Sequence, residues 1–61
     1  MTIKIFDCCS DKTKLFTGTP EQLVVQLDDY YGWLKRYNPV DLKERLSLLG
    51  RQQFFFVSVE D

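Results

Sequence analysis

Sixty-one residues, eight basic, nine acidic and none histidine, give a net charge of −1, with 44% apolar and 15% aromatic side chains. A chain this short builds one core near the lower size limit for unaided folding, which excludes a two-domain enzyme, and its apolar content separates it from disordered sequences. A single compact α+β domain over residues 1–61 is expected, with nine aromatics (Phe6, Phe16, Tyr30, Tyr31, Trp33, Tyr37, Phe54, Phe55 and Phe56), more than so small an interior hides.

Residues 2 to 9 read as a first strand, β-branched or aromatic at Ile3, Ile5 and Phe6, with Ile3 and Ile5 on one face. Strand alternation would turn one of Cys8 and Cys9 inward as a small apolar filler. Ser10-Asp11-Lys12-Thr13 is a polar turn, and Lys14 to Thr17 follows as a second strand in an antiparallel hairpin.

Thr19-Pro20-Glu21-Gln22 marks a helix start. Threonine is a good N-cap, proline at the first helical position forgoes only a donor with no partner, and Gln22 completes a capping box. The helix is expected to run to Asn38, with Leu23, Val24, Leu27, Tyr30, Tyr31 and Leu34 within an inward arc of about 120°. Gly32 interrupts that run and can kink it. Asn38-Pro39-Val40-Asp41 repeats the capping logic, so that Asn38 caps a second helix from about Pro39 to Leu49. Its inward stripe is Leu42, Leu46 and Leu49, Asp41 and Arg45 can pair along one side, and Gly50 suits the residue after the helix.

Gln53 to Val59 is the most strand-like segment, with Phe55, Val57 and Val59 on one face and Phe54, Phe56 and Ser58 on the other. Its composition predicts a central or buried position. The order β-β-α-α-β gives a small two-layer α+β fold: a three-stranded sheet in spatial order 2-1-3, the last strand parallel to the first, and a helical hairpin on one face. The far face of the sheet is left open.

No residue set for catalysis emerges, since histidine, the commonest general base, is missing. Cys8 and Cys9 stand near Asp7 and Asp11, whose negative charge works against a reactive thiolate. The two thiols are too few for structural zinc, the acidic residues Glu21, Asp28 and Asp29 lack calcium-loop spacing and read as a solvated helix face, and Thr17-Gly18-Thr19-Pro20 lacks the lysine of a phosphate loop. Neither a metal, a cofactor nor a small-molecule substrate is indicated. Adjacent cysteines read as reduced thiols. No apolar run reaches the ~20 residues of a membrane span or the length of a signal peptide, so the expected location is cytoplasmic.

Three surfaces remain. On an uninterrupted first helix, Val25, Asp29, Trp33 and Arg36 share the side opposite the core, and a tryptophan beside an arginine is the usual composition of a protein-binding anchor. The rival is a break at Gly32 that turns Trp33 inward. Phe54, Phe56 and Phe6 fall together on the open sheet face, a patch suited to homodimerisation or to a partner peptide. Residues 35 to 51 carry five basic against two acidic side chains, and Lys35, Arg36, Lys43, Arg45 and Arg51 beside Trp33 and Tyr37 could hold a nucleic acid. The sequence therefore favours a non-enzymatic protein-interaction module, a small regulatory, accessory or inhibitor protein that binds a larger protein or itself. A nucleic-acid-binding protein using the second helix is the alternative.

Overall fold

The computed structural model describes residues 1–60. The elements are β1 (Thr2–Asp7), β2 (Lys12–Thr17), α1 (Pro20–Tyr30), a 3₁₀ turn over Gly32–Tyr37, α2 (Leu42–Arg51) and β3 (Phe55–Glu60). The three strands form one sheet in the order β2-β1-β3, and the fold is the α+β arrangement expected from the element order.

The hairpin turns two residues earlier than its composition suggests. Asp7 ends β1 because its Oδ1 accepts the backbone N–H of Cys9 at 3.0 Å, folding the chain into a turn closed by Asp11 at φ 56°. Cys8 and Cys9 therefore lie in the turn, both exposed; neither fills the core, because strand alternation has already stopped. The register pairs Thr2 with Thr17 and Asp7 with Lys12.

The capping box forms as read. Thr19 Oγ1 accepts from Gln22 N–H at 3.2 Å, and Gln22 Oε1 accepts from Thr19 N–H at 2.9 Å. Gly18 admits this closure: its φ is +150°, and a Cβ there would stand 2.5 Å from Gln22 Oε1.

Gly32 ends the α-helical geometry rather than kinking it. α1 stops at Tyr30, and the tighter 3₁₀ winding buries Tyr31 and Leu34 while leaving Tyr30 57% exposed. Asn38 does not cap the second helix. It takes the left-handed conformation that ends the 3₁₀ turn, and Asp41 caps α2 instead, accepting from Glu44 N–H at 2.9 Å. α2 consequently starts at Leu42 and absorbs Gly50 as an interior residue.

β3 runs antiparallel to β1, with Thr2 opposite Glu60 and Asp7 opposite Phe55, not parallel as expected. The return leg is taken by the 3₁₀ turn and residues 38–41, which bring the chain back beside the first turn of α1. There Val40 and Leu42 line one groove with Pro20 and Val24. Both helices then run in the same sense and β3 returns down the sheet. β3 is also an edge strand, not a central one, and much of it is exposed.

The core lies between the helices and one sheet face. Ile3, Ile5, Leu23, Leu27, Leu34 and Leu49 are fully buried, joined by Phe16, Tyr31 and Phe55. Burial of a side chain of this class contributes about 1.5–3 kcal/mol each before the entropy cost of folding is set against it.

Candidate functional site

Residues directly opposite one another across a ladder share a face. Since Ile3 and Ile5 face the helices, Thr2, Lys4 and Phe6 of β1 face away, and the register adds Thr13, Leu15 and Thr17 from β2 and Phe56, Ser58 and Glu60 from β3. No helix covers this side. Phe6 and Phe56 pair across the strands with ring centroids 6.2 Å apart. Phe56 is 60% exposed on β3 and Leu15, two strands over on β2, 59% exposed. Phe54 lies just outside β3, where its carbonyl accepts from Cys8 N–H at 3.0 Å and its ring rests 4.6 Å from that of Phe55. The phenylalanine patch thus consists of Phe6 and Phe56 with Phe54 at its border, ringed by Lys4, Glu60 and small hydroxyl side chains.

The stripe through Trp33 does not assemble. Val25 and Asp29 remain on the exposed side of α1, and Arg36 is exposed on the 3₁₀ turn. Trp33, past the end of α1, is half-buried against the core. Its ring meets those of Tyr31 and Tyr37 edge-on at 6.5 and 6.1 Å. The change from 3.6 to 3.0 residues per turn at Gly32 breaks the i, i+4, i+8 spacing on which the stripe depends.

The basic set divides as well. Lys35, Arg36, Lys43 and Arg51 are exposed, but Arg45 is buried. Its Nε and Nη2 donate to the two carboxylate oxygens of Asp28 at 2.9 and 3.0 Å, and Nη1 donates to the Asp41 carbonyl at 2.9 Å. Arg45 is thereby committed to joining α1 to α2, in a bidentate geometry that lysine cannot reproduce. Asp28 leaves the solvated face assigned to it, while Asp41 engages Arg45 through its backbone and uses its carboxylate as the cap. The hydrogen bonds from Arg45 hold the Asp28 carboxyl below its ordinary pKa, outweighing the opposing effect of burial.

Elsewhere, burial, reinforced by neighbouring Tyr30 and Asp7, pushes the Tyr31 hydroxyl up to about 12. Local desolvation, then Cys8 and Asp7, raise the Cys9 thiol above its ordinary value, which disfavours the thiolate form needed for nucleophilic chemistry. Among the described residues, no group of three or more His, Cys, Asp or Glu side chains is placed to hold a metal ion. Among the same residues, no helix is long and apolar enough to cross a membrane.

Sequence reasoning missed the Asp28–Arg45 pair and the exposure of Leu15. The first joins residues seventeen apart and has no local periodic signal; the second was legible, because Leu15 alternates with Phe16 and one of the two must face out. Compared with known proteins, the chain matches no family model, no curated protein and no solved structure.

Proposed function

We propose that this protein is a non-enzymatic interaction module that binds a larger protein through the open face of its sheet, in a regulatory, accessory or inhibitory role. The observation that carries this reading is the cross-strand Phe6–Phe56 pair, Phe6 half-buried and Phe56 exposed, with exposed Leu15 on the same face. Small folded domains rarely leave large apolar side chains grouped on one surface without a use for them. A sheet holds its side chains in fixed positions, and phenylalanine has only two side-chain torsions to immobilise, so little ordering entropy opposes contact with a flat apolar epitope. Lys4 and Glu60 supply one charge of each sign at the border, which orients a partner more than it holds it.

The nucleic-acid reading loses Arg45, since that guanidinium is occupied by Asp28. The two readings separate in a capture experiment from native lysate at rising salt, comparing wild type with Phe56→Asp and Leu15→Asp. A protein partner retained by wild type across the salt series and lost with either variant supports the face. Capture of nucleic acid that falls away steeply with salt and is indifferent to both variants overturns it.

A further inference from the structure

The outer edge of β3 has no neighbouring strand among the described residues and is separate from the open face. An unpaired strand edge is a template for another strand, and proteins normally blunt such edges with lysine, proline, a bulge or a covering side chain. β2 follows this rule. It bears Lys12 and Lys14, and Gln26 Nε2 donates to the Thr17 carbonyl at 3.1 Å. β3, Phe55-Phe56-Val57-Ser58-Val59-Glu60, has no lysine, no proline and one charge, at its end. This is the composition that predicts a central strand, yet it stands at an edge.

The hydrogen-bond phase identifies which groups are free. Cys8 N–H bonds the Phe54 carbonyl and Gly18 N–H bonds the Met1 carbonyl. In an antiparallel ladder alternate residues bond to alternate sides, so even-numbered residues of β1 exchange bonds with β3 and odd-numbered ones with β2. It follows that Phe54, Phe56, Ser58 and Glu60 turn their backbone groups inward to β1, and Phe55, Val57 and Val59 turn theirs outward. Phe55 N–H is taken by the Gln52 carbonyl at 3.2 Å. The open edge presents the Phe55 carbonyl and both groups of Val57 and Val59.

We propose that β3 pairs antiparallel with β3 of a second copy of this chain, about a two-fold axis through Val57, giving a continuous six-stranded sheet. Self-complementarity supports this occupant. Val57 exchanges two bonds with its mate, and each Val59 N–H meets the Phe55 carbonyl opposite, so four interchain bonds use every free group except the Val59 carbonyl. Glu60 falls opposite Phe54 of the other copy, and the two like charges lie at opposite ends of the paired strands. A strand edge is too narrow to supply by itself the about 800 Å² per partner of a standard interface, so the helices above must also close. The flank of α2 toward β3 allows it. Arg45 marks the side facing α1, and Leu46 and Lys43 lie on the side of Val59. Gly50, one turn from Leu46, is exposed, and apart from its chain neighbours and its own helix's backbone nothing comes within 4 Å of where a Cβ would stand. α2 runs antiparallel to β3, and four helical residues rise about as far as two strand residues, so with Leu46 level with Val59 the same two-fold brings Gly50 of one copy against Gly50 of the other.

The test is sedimentation over a wide concentration range. Wild type should reach twice the 7.2 kDa chain mass. Val59→Pro deletes an N–H that the ladder with β1 leaves unused, and Gly50→Lys fills the open space there while improving helix propensity. Each should weaken self-association tenfold or more with an unchanged circular dichroism spectrum, whereas Leu15→Asp, on the far edge, should leave it intact. Slowed amide exchange at Val57 and Val59 with rising concentration gives the same answer by residue. A wild type that stays monomeric throughout, or a dimer that survives Gly50→Lys, overturns the proposal, and neither result bears on the open face.

Discussion

Replacing Asp28 with alanine exposes the energetic role of the ion pair that joins α1 to α2. Removing a partner from a fully buried pair costs about 3–5 kcal/mol, and an exposed pair is worth only about 0.2–1 kcal/mol. The Arg45 and Asp28 side chains are 10% and 17% exposed, close to the buried limit, but Arg45 retains its bond to the Asp41 carbonyl after the substitution. The expected loss is therefore about 2–3 kcal/mol, intermediate between those limits. For a domain of this size that corresponds to a fall in Tm of about 10–20 °C. Urea unfolding at neutral pH, followed by circular dichroism, measures it. The double variant Asp28→Leu/Arg45→Met, which removes both charges and keeps the volume, should recover most of the loss. Acid supplies an independent check: because the folded carboxyl lies below its unfolded value, the contribution is complete above about pH 4 and disappears as pH falls through the lower folded value. A loss below about 0.5 kcal/mol for Asp28→Ala, the level of an ordinary surface substitution, refutes the reasoning.

Three further outcomes are expected. Thr19→Ala removes the cap of α1 and should cost about 1 kcal/mol in the same urea assay. Alkaline titration should destabilise the fold from about pH 10 upward through about pH 12, since Tyr31 ionises at its ordinary value only when unfolded; Tyr31→Phe should flatten that limb. Phe56→Ser, on an exposed side chain, should change stability by no more than about 0.5 kcal/mol while abolishing partner capture, which separates a binding surface from a structural one.

Features written in neighbouring residues were legible. Thr19-Pro20 and Gln22 fix where α1 begins, and alternation of Ile3 and Ile5 with Phe6 fixes which face of β1 is buried. Features that depend on competition between segments were not. Gly32 offered a kink or a break, and the choice fell to the burial of Tyr31 and Leu34, which the 3₁₀ winding permits. Asn38 and Asp41 are both competent caps, and only the return path of the chain selects Asp41. Of the site residues, Phe6 and Phe56 follow from strand parity and stand where alternation puts them. The Trp33 stripe presupposed a helix that continues past Gly32. Arg45, read as a free cation, is captured by a carboxylate that the sequence assigned to solvent.

The pairing of Thr2 with Glu60 across β1 and β3 has a consequence for how the molecule comes into being. The centre of the sheet is synthesised before both of its neighbours, and one of them follows only after both helices. On the ribosome, β1 can pair with β2 as soon as the hairpin emerges, but its other edge waits for residues that follow both helices. That contact joins residue 2 to residue 60 and makes closure of the sheet an unusually non-local step for so small a fold. A nascent chain lacking β3 would present β1 itself as the open edge, so the interval before β3 arrives is when this sequence is most exposed to mispairing.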